Sequence, residues 1–250
     1  MIKIPDQLST TRPWQGSSPL ISWFCPGDTR EEWESNMQSK KRRAYLTKQG
    51  WHHEHAIEYR HNHLGFRGED FDCSGAGVMT LGCSFTYGVG LSQHQVWPWI
   101  VSERLGVTCM NLAQGGASSD RCFRMAEYWV PHLRPGWVVM LTPPMGRQEL
   151  IIDDGDAVNL MPHEAGQDAF TKTWVSVDEN SRLNEVKNQL AVAMVCRALD
   201  VPCLIYTTVE FGTVIGYRAD LARDFRHQGP AVHQGFAELV YSDIQAGRTV

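Results

Sequence analysis

The chain predicts an α/β fold, a three-layer, flavodoxin-like parallel sheet of about five strands with an irregular N-terminal extension. Two observations carry that expectation. From residue 78 onward, short apolar runs alternate with helical patterns, the rhythm of repeated β-α-β units. The runs are apolar almost throughout, as strands are when helices cover both faces of their sheet.

Residues 1–50 read as irregular, with Pro5, Pro13, Pro19 and Pro26 and a polar cluster at Gly16-Ser17-Ser18. One helix is expected there, from Arg30 to Lys48. Asp28 or Thr29 would cap it, Glu31 and Glu32 fall in its first turn, and the basic run Lys40–Arg43 comes later, which suits a helix dipole. That run reads as a solvated helix face rather than a phosphate site.

Val78–Gly82 is the first expected strand. A helix follows over Gln93–Leu105, capped by Ser92 and ended by Gly106. Val107–Asn111 is a second strand, and the small-residue loop Ala113–Ser119 leads into a helix over Asp120–Leu133, closed by Pro135-Gly136. Trp137–Leu141 is a third strand, Asn184–Leu199 a helix, Val201–Thr207 a fourth strand and Ala231–Ile244 a last helix. The acidic stretch with Asp153-Asp154-Gly155-Asp156 interrupts this order, so residues 145–180 read as an insertion beside the site. The expected organisation is an extension over residues 1–58, packed on one domain over 59–250.

Composition narrows the function classes. The chain has 250 residues, 42% of them hydrophobic and 20% charged, with a net charge of −5. That is long and apolar enough for a folded core. It offers no basic excess for nucleic acid or an anionic membrane, so neither is an expected partner. The opening residues Met1–Asp6 lack an apolar secretory core. The seven cysteines are odd in number and form no C-x-x-C pair. Reduced thiols in a cytoplasmic protein, with no metal and no cofactor, are the expectation. Trp51-His52-His53-Glu54-His55 gathers ligand-type side chains but lacks the H-E-x-x-H spacing that sets two histidines on one helix face.

Three segments carry candidate chemistry. Gly82-Cys83-Ser84-Phe85-Thr86-Tyr87-Gly88 lies where the first strand ends, so Ser84 is placed at the carboxyl edge of the sheet, where ligands bind in such folds. Strand alternation sends Cys83 and Ser84 to opposite sides, and Ser84 is the preferred nucleophile. Asn111 and Gly116 flank the loop after the second strand, where glycine allows a backbone N–H to approach a reacting oxygen. Asp224 and His227 are spaced so that the carboxylate can orient the imidazole as a base.

In this order the three segments resemble the SGNH or GDSL-type serine hydrolase family. The nucleophile block resembles Gly82–Thr86, with Cys83 where the family usually has aspartate. The second block resembles Asn111–Gly116 and the last Asp224–His227. The stretch Tyr59–Gly68, with Asn62, Gly65, Phe66 and Arg67, is similar to one that precedes the nucleophile strand in one branch. The resemblance covers residues 59–245. It implies the SGNH hydrolase fold and an esterase with Ser84 as nucleophile, His227 as base and Asp224 as its orienting group. The backbone N–H groups of Ser84 and Gly116 would hold the oxyanion, and Asn111, Arg147 and Gln148 would meet a small-molecule or carbohydrate ester. An O-acetyl group on a sugar, stacked on Trp97, Trp99 or Trp174, is one such substrate. The family's third block carries an asparagine that donates to the oxyanion. Here that stretch is Leu141-Thr142-Pro143-Pro144-Met145-Gly146-Arg147, and proline has no N–H to offer; either Arg147 or Gln148 takes the asparagine's place, or the site is slower. A non-catalytic carbohydrate- or partner-binding module and an acyltransferase share the same residues and stay open.

Overall fold

The computed structural model describes residues 21–71, 76–151, 157–161, 178–213 and 220–250. In chain order, a short strand β1 (Ile21–Ser22) precedes the helices α1 (Arg30–Gln38) and α2 (Lys40–Gln49), and strand β2 (Tyr59–Arg60) pairs antiparallel with β1. Strand β3 (Val78–Leu81), the single turn α3 (Ser84–Tyr87), helix α4 (Trp97–Leu105), strand β4 (Cys109–Asn111), helix α5 (Ser119–Leu133) and strand β5 (Trp137–Leu141) follow. Next come the hairpin β6 (Gln148–Ile151) and β7 (Ala157–Leu160), helix α6 (Asp178–Arg197), strand β8 (Cys203–Tyr206), and the helices α7 (Thr208–Thr213) and α8 (Pro230–Gln245).

The central sheet runs β4-β3-β5-β8, with every pairing parallel. Counted along the chain, its strands stand in the order second, first, third, fourth, the flavodoxin-like arrangement. Four strands form this sheet among the described residues, against the five expected. Alternation along the strands builds two cores. Met79, Leu81, Met110, Val138 and Met140 face α5 and α6, where Met125, Trp129, Val130 and Val192 meet them. Val78, Val139, Leu141 and Leu204 face α4 and α8, against Trp97, Val101, Phe236 and Val240. Burying such side chains on both faces, at about 1.5–3 kcal/mol each, is what fixes the sheet between two helical layers.

The single helix expected over residues 30–48 is two. Thr29 caps α1, its hydroxyl accepting from Glu32 N–H at 3.2 Å. Ser39 takes up an extended conformation and caps α2 through Arg42 N–H. A serine hydroxyl that satisfies a free backbone donor competes with helix continuation, which explains the break. Lys40–Arg43 therefore open α2 instead of closing α1, and they gain nothing from the dipole. They are solvent-exposed. Helix α6 begins at Asp178 rather than Asn184, and the expected insertion contains the β6–β7 hairpin. Asp153–Asp156, Cys73, Trp174 and the prolines before residue 20 lie outside the described residues.

The segment before β3 adds a third core, in which Leu46, Trp51, Ile57 and Tyr59 pack on Tyr87, Val89, Leu91 and Ala222. Asp28 stands at its centre, 1% exposed. Its carboxylate accepts from Tyr59 Oη at 2.6 Å and from Arg223 Nε and Nη2 at 2.9 and 2.7 Å. Arg223 is fully buried, with its guanidinium over the Phe24 ring. Burial and the neighbouring Asp28 push the Cys25 thiol up to about 12, so it stays neutral there. None of the six described cysteines is disulfide-bonded.

Two buried imidazoles are held neutral. Burial lowers His233 to about 3, with His227 and Arg67 adding to the effect, and its Nδ1 accepts from Trp97 N–H at 3.2 Å. Burial and Arg67 likewise lower His61 to about 4, and its Nε2 lies 2.9 Å from Tyr87 Oη.

Two predictions follow from these buried groups. Replacing Arg223 or Asp28 by alanine leaves the opposite charge buried without its partner and costs about 3–5 kcal/mol; urea unfolding measures it, and a loss below about 1 kcal/mol contradicts the assignment. The second concerns pH. The unfolded chain binds protons at His61 and His233 as pH falls through 6.5, whereas the folded chain resists until about 4 and about 3. Stability is therefore highest above 6.5 and falls as pH drops towards 4. Unfolding midpoints across this range should show the slope, and His233→Gln should flatten it.

Candidate active site

Strand β3 ends at Leu81, and Gly82 and Cys83 turn the chain into α3. A Cβ on Gly82 would lie 2.2 Å from Thr86 Oγ1 and 2.9 Å from the Leu141 carbonyl, so only glycine fits this turn. Thr86 and Tyr87 close the turn with N–H bonds back to the Cys83 carbonyl. The turn lifts Ser84 into a cleft of about 700 Å³ at the carboxyl end of the sheet. Cys83 is fully buried and does not line that cleft.

Behind Ser84 the chain is stapled by Arg67, which is 1% exposed. Its Nη1 donates to the carbonyls of Tyr87 and Gly88, and its Nη2 to that of Leu91, at 2.6–2.9 Å. Asn62 shapes the turn that delivers Arg67, its Oδ1 accepting from the N–H groups of Leu64 and Phe66. The Asn62–Arg67 stretch thus serves to hold the loop that follows Ser84.

Asp224 and His227 belong to a loop closed by Ala222 N–H bonding to the His227 carbonyl at 2.9 Å. His227 Nδ1 lies 2.6 Å from Asp224 Oδ2, and Asp224 Oδ1 accepts from the N–H of His227 at 3.2 Å. Burial alone would raise the Asp224 carboxyl; the hydrogen bonds and charge of His227 outweigh it and hold the carboxyl below its ordinary range. A carboxylate so placed fixes the imidazole with Nδ1 inward and turns Nε2 outward. The ring of Phe85, next to Ser84, meets the His227 imidazole edge-on at 5.6 Å. Ser84 and His227 line the same cleft and are not hydrogen-bonded to each other.

The two loops also touch directly. Gly90 has φ +74°, and a Cβ on it would lie 2.9 Å from Ala222 Cβ and 3.2 Å from Asp224 Oδ1. Its N–H donates to Tyr59 Oη at 2.8 Å, and its carbonyl accepts from Arg223 N–H at 3.0 Å. Tyr59 and Arg223 both bond Asp28, so a closed ring of hydrogen bonds joins the loop after Ser84 to the loop carrying His227.

Of the other sequence candidates, Gly116 (φ +76°) and Arg147 line the cleft with Ser84 and His227. Asn111 does not. It is fully buried, donates to the Thr86 carbonyl at 2.9 Å and accepts from Ala113 N–H, so it ties β4 to the Ser84 turn. The reason is its place at the buried end of β4, where an amide shut off from water must satisfy neighbouring backbone groups. Gln148 sits on β6 outside the cleft lining. Trp97 is fully buried against Phe236, and Trp99 stacks on Arg67. In the histidine-rich segment, the His52 and His53 rings meet at a tilt of 46°, His55 packs on Trp23, and Glu54 pairs with Arg30. Among the described residues no three metal-type side chains converge.

Several cleft residues were not identified from the sequence. Gln114 and Gly115 belong to the loop after β4, and Ala157, Val158, Asn159 and Met161 come from the β6–β7 hairpin. The hairpin is anchored on α5, where Arg124 Nε and Nη2 grip the Glu149 carboxylate at 2.6 and 2.5 Å. The only sequence signal for Asn159 was its position in an insertion beside the site.

No family model matches the chain, and no curated protein does. Among solved structures it is similar to the crystal structure of TesA, at 15% identity and a TM-score of 0.39 over 69% of this chain and 99% of that one. It is similar to a protein described as lipolytic and of the G-D-S-L family from Desulfitobacterium hafniense DCB-2, at 12% identity and a TM-score of 0.37 over 66% and 98% of the two chains. A third similar structure is described as an acylhydrolase from Bacteroides fragilis NCTC 9343, at 14% identity and a TM-score of 0.36 over 72% and 91%. Matches this distant assign no activity to the present chain.

The loop contact makes a prediction that needs no substrate. The proton shared between His227 Nδ1 and Asp224 should give a downfield NMR signal that Asp224→Ala abolishes. Gly90→Ala should shift or broaden the same signal while leaving the circular dichroism spectrum intact; an unmoved signal contradicts the close approach.

Proposed function

We propose that the cleft is the active site of a serine ester hydrolase. The observation that carries this reading is the 2.6 Å bond between Asp224 and His227 Nδ1, with His227 and Ser84 on the wall of one cleft. His227 Nε2 removes the proton of Ser84 Oγ as that oxygen bonds to the ester carbonyl carbon. The carbonyl π-electrons move onto oxygen, and the oxyanion is met by the backbone N–H groups of Ser84 and Gly116. His227 then protonates the departing alkoxide, which leaves an acyl-serine. Water, deprotonated by the same imidazole, cleaves the acyl-serine and restores Ser84.

The stretch after β5, Thr142-Pro143-Pro144, brings no asparagine to the oxyanion. The amide of Asn159 lines the cleft from the hairpin and is the candidate third donor. One missing donor of this kind costs about 10²–10³ in rate, so its identity matters. No tryptophan lines the cleft among the described residues, so nothing there favours a sugar ring as the alcohol portion.

Hydrolysis of a short-chain aryl ester tests the reading. Ser84→Ala should reduce turnover to background with the fold unchanged, and Asp224→Asn should lower kcat by about 10⁴-fold. Undiminished turnover in Ser84→Ala, rapid inactivation through a cysteine, or saturable sugar binding with no turnover at all would each contradict it.

A further inference from the structure

The cleft carries two guanidinium groups, Arg147 and Arg226, and no carboxylate lines it among the described residues. The two cations are differently engaged. Arg226 is paired with Glu32 at 2.7 Å and lies 3.6 Å from Asp224, so its wall is close to neutral. Arg147 makes one long contact, Nη1 to the Ala117 carbonyl at 3.4 Å, and no carboxylate among the described residues is within ion-pair reach of it. Composition does not account for a positive cleft, since the chain as a whole carries −5.

Arg147 is also held in place. It stands at the entry to β6, and Glu149 two residues on is clamped by Arg124 with both side chains nearly inaccessible to solvent. Val89, Val158 and Met161 line the same cleft as Arg147. A cation against apolar walls is less well screened than one on an open surface, and its field draws a counter-ion. A neutral ester leaves Arg147 as it is. An ester bearing an anion gains charge-assisted, planar hydrogen bonds to the guanidinium.

We propose that the ester turned over in this cleft bears an anionic group, a carboxylate, sulfonate or phosphate, seated on Arg147. The proposal rests on the esterase reading of the same cleft and adds to it the charge of the substrate. The anion belongs either to the acyl portion or to the alcohol.

Two matched pairs of esters separate these sources. Para-nitrophenyl butanoate and its omega-sulfonated analogue place the charge on the acyl chain. Ortho-nitrophenyl acetate and its ring-sulfonated analogue place it on the alcohol. The quantity read is the ratio of kcat/KM for the charged ester to that for the neutral one, in wild type and in Arg147→Gln, so intrinsic reactivity cancels. In one pair the ratio should fall by about tenfold or more in the variant, through KM, and the difference should shrink as salt is raised. A variant that loses both esters of each pair equally overturns the proposal and assigns Arg147 to the oxyanion or to the fold. An unchanged ratio overturns it as well. If wild type hydrolyses none of the four, the esterase reading fails, and propanesulfonate binding then decides the anion seat. A shift of the His227 NMR signal in wild type that is absent in Arg147→Gln supports the seat, and no shift in either overturns it.

Discussion

The buried pair between Arg223 and Asp28 is the constraint on which the candidate site depends. Arg223 precedes Asp224 in the chain, so wherever its guanidinium is fixed, the loop with Asp224 and His227 is fixed too. Asp28 supplies that anchor from a segment nearly two hundred residues away in sequence. Through Tyr59 the same carboxylate reaches Gly90, in the loop that follows Ser84. An ion pair removed from water is not in itself strong evidence for stability, because its desolvation offsets much of the attraction. What it supplies here is geometry: two loops far apart in sequence are bound to one carboxylate.

The titratable groups packed behind the cleft are each held in one protonation state. His61 and His233 are buried and held neutral, and the phenol of Tyr59 is pushed well above its ordinary range by burial and by its acidic neighbours. These groups act as fixed hydrogen-bond partners. Asp224 is kept ionised by His227 against the effect of its own burial. Among the cleft-lining residues described, His227 is the one imidazole that opens to solvent beside Ser84.

Much of this was legible in the sequence. The four sheet strands and the helices after them follow from apolar runs and glycine or proline stops, and Gly106, which ends α4 in the left-handed conformation, is a local signal that tertiary structure left alone. Ser84, Gly116, Asp224 and His227 reach one region because the ends of parallel strands converge on the same edge. What the sequence did not disclose was long-range. Asp28 and Thr29 read as alternative helix caps; Thr29 caps α1 and Asp28 serves Arg223, a choice that only the folded chain decides. Asn111 read as a substrate-binding group, but a polar side chain at the buried end of β4 was needed by the backbone around it. Arg67 carried no visible role until the loop carbonyls it binds were placed beside it. Asn159 comes from a hairpin whose position on α5 depends on the Arg124–Glu149 pair, which no local pattern encodes.

Covalent trapping is the most direct test of the central claim, that Ser84 is activated by an imidazole held in place by Asp224. A fluorophosphonate should label the protein once, and peptide mass mapping should locate the adduct on Ser84. His227→Ala should slow labelling by orders of magnitude while retaining the fold. Labelling at another side chain, or labelling of Ser84 at the same rate without His227, would contradict the account.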